Sequence, residues 1–120
     1  MNKSFIKSSS LVFSLALFLV LGISGVAQAA VQTIRAEVNG MVCAFCAQGI
    51  EKKMRSLTQT REVYVDLKNK VVAVELKEGQ VLSTDTVRDL IKDAGYDVSR
   101  IETVGSTVQQ IKAAVQAGRK

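Results

Sequence analysis

The chain predicts an α+β domain of order β-α-β-β-α-β, a four-stranded antiparallel sheet with two helices on one face. Three observations predict it. Apolar residues alternate with polar ones in short stretches, they recur at helical spacing in two longer ones, and turn residues separate the stretches.

The first strand is read over residues 31–38, where Ile34, Ala36 and Val38 alternate with Thr33, Arg35 and Glu37. Asn39-Gly40 breaks it. From about residue 44 to 57, Ala47, Ile50, Met54 and Leu57 form an apolar stripe, with Gln48, Glu51, Lys52 and Arg55 turned to water. Val63, Val65 and Leu67 then alternate with Glu62, Tyr64 and Asp66. After Lys68-Asn69-Lys70, Val72, Val74 and Leu76 alternate with Val71, Ala73 and Glu75. These are two strands joined by a tight turn in which Asn69 is expected to take the positive φ, and Glu78-Gly79 closes the hairpin. A second helix begins at Ser83 as N-cap, with Asp85 in its first turn. It carries Val87, Leu90, Ile91 and Ala94 on one side and ends at Gly95. Residues 97–104 read as a weaker strand, because Val98, Ile101 and Val104 do not alternate cleanly. Packed together, the six elements make the ferredoxin-like arrangement.

Residues 1–29 read as a secretory signal. Lys3 and Lys7 precede the apolar run 11–23, and Ala27-Gln28-Ala29 supplies small residues at the cleavage spacing. The run is 13 residues, against roughly 20 needed to span a bilayer. The alternative is an uncleaved anchor with the same outward topology. The expected organisation is a signal over 1–29, a domain over 30–104, and a basic tail over 105–120 that forms a short helix on the sheet edge or frays. Ser106 would cap that helix, with Val108, Ile111 and Val115 on one side.

The composition excludes several functions. Of 120 residues none is His, Trp or Pro and two are Cys. Histidine triads and mixed Cys/His zinc sites are ruled out, and two thiolates cannot close a four-thiolate site from one chain. Without the two signal lysines the net charge falls from +5 to +3, all of it in Lys112, Arg119 and Lys120. The neutral body argues against nucleic acid, where a concentrated basic face is expected.

The chemistry concentrates in Gly40-Met41-Val42-Cys43-Ala44-Phe45-Cys46, between the first strand and the first helix. Cys43 falls on the loop and Cys46 in the first helical turn. That spacing brings side chains onto one face roughly 5–6 Å apart. A metal bridged by two thiolates, at about 2.3 Å per bond, needs its sulfurs about 4.6 Å apart, which the loop can reach. Unpaired N–H groups at the helix start stabilise thiolates. Two sulfurs without imidazole suit ions that accept two or three soft ligands, such as Cu(I) and similar d¹⁰ cations, better than zinc, which wants four, and open coordination positions favour transfer by ligand exchange. Cys43 and Cys46 are therefore the direct ligands expected, in a protein that is not an enzyme.

This stretch resembles the G-M-T-C-x-x-C signature of heavy-metal-associated domains. With the export signal, the chain is most similar to the periplasmic mercury-binding proteins of bacterial mercury-resistance systems. The likeness runs from about Gln32 to Thr103 and includes Asp93-Ala94-Gly95-Tyr96. It implies a periplasmic monomer that holds Hg(II) or Cu(I) and passes it to an inner-membrane metal transporter or ATPase, with no organic small-molecule substrate. The same resemblance makes Gly40 and Met41 loop supports, Met41 as a buried anchor, and sets Tyr96 on a loop facing the metal. Two positions depart from the pattern. Val42 replaces a Thr whose hydroxyl could cap the loop, and Phe45 puts a large apolar group between the ligands, where it would shield the metal or contact a partner.

Three rivals stand beside this reading. A thiol–disulfide redox protein also places C-x-x-C before a helix, but a thioredoxin-like fold keeps a cis-proline that this chain lacks. A structural disulfide would close only a few residues and stabilise little. An interaction module attached through the tail is the third.

Overall fold

A computed structural model describes residues 30–118; the signal-like segment 1–29 and residues 119–120 lie outside them. The elements are β1 (Thr33–Asn39), α1 (Ala44–Arg55), β2 (Thr60–Asp66), β3 (Val71–Leu76), α2 (Thr84–Asp93), β4 (Asp97–Val104) and α3 (Val108–Gln116). The strands form one antiparallel sheet in the order β2-β3-β1-β4. This is the ferredoxin-like sheet that the periodicities predict, with one further layer.

The inner face of the sheet carries the main core. Ile34, Ala36 and Val38 of β1 and Val72 and Val74 of β3 pack against Ile50 and Met54 of α1 and Val87 and Ile91 of α2. These are the stripe residues of the two helical periodicities. α2 is bounded as its end signals require: Ser83 Oγ accepts from the Asp85 N–H, and Gly95 follows the C-cap with φ +91°.

Three local expectations are corrected. In the β2–β3 hairpin the positive φ falls on Lys70 (58°), not on Asn69. Asn69 is held otherwise, because its N–H and side-chain amide both donate to the Asp66 carboxylate. Lys70 is left to close the loop in the left-handed region, and its carbonyl accepts from Val38 N–H at 2.8 Å.

β4 is a full strand, and its poor alternation has a cause. Ile101 pairs with Ala36 and Arg100 with Glu37, but Val38 faces Val98, so Ser99 is an extra residue in a β-bulge. The bulge inverts side-chain parity. Val98 and Ile101, three apart, therefore both reach the main core, while Val104 points to the other face. Ser99 Oγ donates to the Glu37 carbonyl there.

The third correction concerns the tail. It neither lies on the sheet edge nor frays: α3 packs across the outer face of β2 and β3. Val108, Ile111 and Val115 face the sheet as the spacing predicts, and bury Val71 and Ala73 with Tyr64 and Val104 at the margin. Every residue of β3 is consequently buried. The N-cap is Thr107 instead of Ser106, because Gln110, three residues on, completes a reciprocal capping box with Thr107.

Two polar residues that the alternation assigns to solvent are buried by this layer. Thr33 donates to the Ser106 carbonyl at 2.6 Å. Glu75 takes the Val108 N–H at 2.8 Å on one carboxylate oxygen and pairs with Arg61 through the other. Its negative charge thus meets the positive end of α3, so the carboxylate is compensated where it is buried.

Tyr64 reports on the same layer. Burial, and then the hydrogen bond its hydroxyl donates to Asp66 at 2.7 Å, push its phenol from 10.0 up to about 12. The raised value stabilises the fold fully below pH 10, and that contribution is lost as pH rises through about 12. In a Tyr96→Phe background, ultraviolet titration should place the phenolate midpoint near 12. Asp66→Asn should move it down toward the ordinary value, whereas an unmoved midpoint would show that Asp66 contributes nothing.

Candidate metal site

At the end of β1, Gly40 turns the chain with φ +81°, a backbone region open to glycine. The ring of Tyr96, from the loop after α2, lies over it: a Cβ built on Gly40 would sit 3.8 Å from Tyr96 Cδ1. Met41 follows and is almost wholly buried in the main core. The loop is therefore pinned from below by a thioether and from the side by an aromatic ring.

That anchoring delivers Cys43 to the N-cap of α1. Its backbone is extended, and its Sγ accepts from the Cys46 N–H at 3.2 Å. A thiol thus takes the capping role that Ser, Thr or Asp usually fills. The hydroxyl lost by having Val42 in the loop is not needed for that cap. The first turn of α1 contains no acidic residue, so the two sulfurs are the groups within it that can carry negative charge toward the helix dipole.

Both cysteines are free thiols of intermediate exposure. Hydrogen bonds from the Cys46 thiol and then from the Cys46 N–H hold the Cys43 thiol below its ordinary range, against a smaller opposing effect of burial. The phenol of Tyr96 is pushed up, first by its interaction with the Cys46 thiol and then by burial and nearby sulfur charge. An adjacent protonated phenol is a hydrogen-bond donor for a thiolate. Cys43 should therefore alkylate with an apparent pKa below 9.0 in the reduced protein. Cys46→Ala should raise that value without restoring it fully, because the backbone donor remains. Peptide mass analysis of the iodoacetamide product against pH checks this.

The structure thus gathers Gly40, Met41, Cys43, Cys46 and Tyr96 at one pole. Phe45 is there too, but it projects outward with 85% of its surface exposed, as does Val42 with 86%. Phe45 is therefore not folded over the thiols. Val42 was legible only as a lost hydroxyl, and its exposure follows from Met41 turning inward beside it. Among the described residues no cluster of three or more Cys, Asp, Glu or His could hold a metal, so no third such ligand joins the pair.

A ferredoxin-like sandwich that presents two thiols at a helix start is a dithiol-presenting domain. The chain belongs to the heavy-metal-associated domain family, whose model matches residues 35–97. Among curated relatives, the copper chaperone CopZ of Staphylococcus haemolyticus is 34% identical over 61 residues, covering 51% of this chain and 88% of the relative. Copper-transporting ATPase 1 of Rhizobium meliloti is 28% identical over 72 residues, 60% of this chain but only 8% of the ATPase. Of solved structures, the CopZ metallochaperone matches at TM-score 0.50 with 29% identity, covering 55% of this chain and 97% of that one. The N-terminal domain of ZntA in the apo form matches at 0.53 with 26% identity, covering 60% and 93%.

Proposed function

We propose that this protein binds a soft d¹⁰ cation between Cys43 and Cys46 and passes it to a metal-transporting ATPase by ligand exchange. The observation that carries the reading is the thiol pair at the start of α1, pinned by Met41 and Tyr96, with no third Cys, Asp, Glu or His clustered beside it among the described residues. Thiolates select soft ions, and two of them leave coordination positions open. Cu(I) is the ion supported by the relatives, which are named as copper chaperones and copper-transporting ATPases. Transfer needs no redox step. An acceptor thiolate forms a bond to the metal, the bond to one cysteine sulfur breaks, and the released thiolate takes up the proton the acceptor gave up.

One observation favours Hg(II) as a second reading. Residues 39–50 contain no Asp, Glu, Lys or Arg. Two thiolates around a divalent ion are neutral, whereas around Cu(I) they leave one negative charge that no basic side chain in this stretch offsets. The pattern of residues 1–29 supports export to the periplasm, and N-terminal sequencing of secreted protein should then begin at Ala30.

The test is anaerobic titration of the fully reduced protein with Cu(I), Hg(II) and Zn(II), each against a chelator of graded strength. One tight equivalent of Cu(I) or Hg(II), with zinc held far more weakly, is the expected outcome. Uptake of neither soft ion would overturn the reading, and rapid turnover of disulfide substrates without uptake would favour a redox protein.

A further inference from the structure

Three large apolar side chains stand well exposed among the described residues, namely Val42, Phe45 and Val81. Two of the three flank the cysteines. Val42 immediately precedes Cys43, and Phe45 lies between the ligands in sequence, on the first turn of α1. The exposed residues beside them, Gly40, Ala44, Gln48 and Gly49, are uncharged as well. An apolar, neutral patch of this kind is a mark of an interaction surface.

From this juxtaposition we infer that Val42 and Phe45 form the docking surface for a metal-accepting protein whose own thiol-bearing loop is apolar and uncharged. The inference rests on the proposed metal transfer and names the chemistry of its partner. Geometry favours the contact, because a protein whose sulfur reaches a metal held by Cys43 and Cys46 meets the loop and first helical turn that bear these two side chains. Charge decides the occupant. With Hg(II) held as a neutral bis-thiolate, a carboxylate or ammonium pressed onto the patch would lose water and find no counter-charge between residues 39 and 50, whereas apolar side chains would gain by burial. Charged side chains do lie at the two ends of the neighbouring loop, where Asp93 closes α2 and Asp97 opens β4 on either side of Gly95-Tyr96. Salt dependence separates the two surfaces, since exposed charge pairs are screened and apolar contacts are not.

A second copy of the chain supplies an acceptor loop of the stated chemistry and serves as the probe. Protein loaded with one equivalent of Hg(II) is mixed with isotopically labelled, reduced apo-protein, and the bimolecular exchange rate is followed by NMR at low and high salt. Wild type should exchange at a rate that salt changes by less than about twofold. Phe45→Ser with Val42→Ser on both partners should slow exchange about tenfold or more, as expected when buried anchors of an interface are removed. Exchange to free glutathione, a small charged thiol that makes no such interface, should change far less.

Serine variants that exchange between copies at the wild-type rate, or a rate that collapses with salt, would overturn the docking surface while leaving metal binding intact. Stable binding of the wild-type protein, but not the serine variants, to phosphatidylcholine vesicles would also overturn it, by assigning the patch to a lipid surface. Absence of Hg(II) and Cu(I) uptake at the loading step would overturn the metal-binding reading and this inference together.

Discussion

Removing either thiol should weaken Cu(I) or Hg(II) binding by at least about a thousandfold. Structural zinc held by four ligands is bound by roughly 10–16 kcal/mol, or about 2.5–4 kcal/mol per ligand, and a two-ligand site concentrates its affinity in fewer bonds. Cys43→Ala and Cys46→Ala should each leave a single-thiolate site that an ordinary chelator strips, and the double variant should take up no measurable equivalent. The fold should survive. Both thiols are partly exposed and lie outside the buried core, and the loop keeps its anchors in Met41 and Tyr96. The structural cost falls on Cys43, whose sulfur caps α1, and should be about 1 kcal/mol. Metal competition assays paired with urea melts check both parts. A single variant that retained wild-type affinity would show that the two sulfurs do not act as a pair.

The second large effect concerns the outer layer. Ile111→Ala should destabilise the domain by about 2–4 kcal/mol, the usual range for truncating a buried isoleucine. Ile111 is 5% exposed and packs with Val71 and Ala73 on the face opposite the main core. Such a loss is a large fraction of the 5–15 kcal/mol typical of a folded domain. Were α3 undocked, the same change would count as a surface substitution and fall within about 0.5 kcal/mol. The Tyr64 phenol gives an independent reading, because burial is the first cause of its raised pKa. Loosening α3 should bring that value down toward 10.0 in step with the loss of stability.

The candidate site was legible because its information is local. Gly40, Cys43 and Cys46 are fixed by a strand end and a helix start seven residues long in total, and the thiol spacing follows from helix geometry. The loop of Tyr96 was reached only through resemblance. Nothing between residues 46 and 96 in the pattern of apolar positions says that these two segments meet, and the structure brings them together through the pairing of Asn39 with Asp97. The outward aim of Phe45 and Val42 was similarly a matter of packing, since an apolar side chain in a loop reads the same in sequence whether it is buried or exposed.

The remaining differences share that origin. The Val98, Ile101 and Val104 spacing contains the bulge, but a three-residue interval can be read as a broken strand until Ala36 and Val38 are seen opposite. Lys70 takes the strained turn position because Asp66 captures Asn69, a competition between side-chain hydrogen bonds that propensity does not rank.

Composition and periodicity alone determined that the chain is a six-element sandwich, that its inner face is built from the two helical stripes, and that its thiols sit where a strand passes into a helix. Each of those follows from spacing within about a dozen residues, over which backbone geometry dictates direction. Only the tertiary structure decided that α3 closes the outer face, that Glu75 and Thr33 are buried beneath its start, and that Val42 and Phe45 face away from the core. A short amphipathic helix has too little intrinsic stability to declare where it docks, so its place was settled by the apolar surface of Val71 and Ala73 and by a carboxylate waiting at the end of β3.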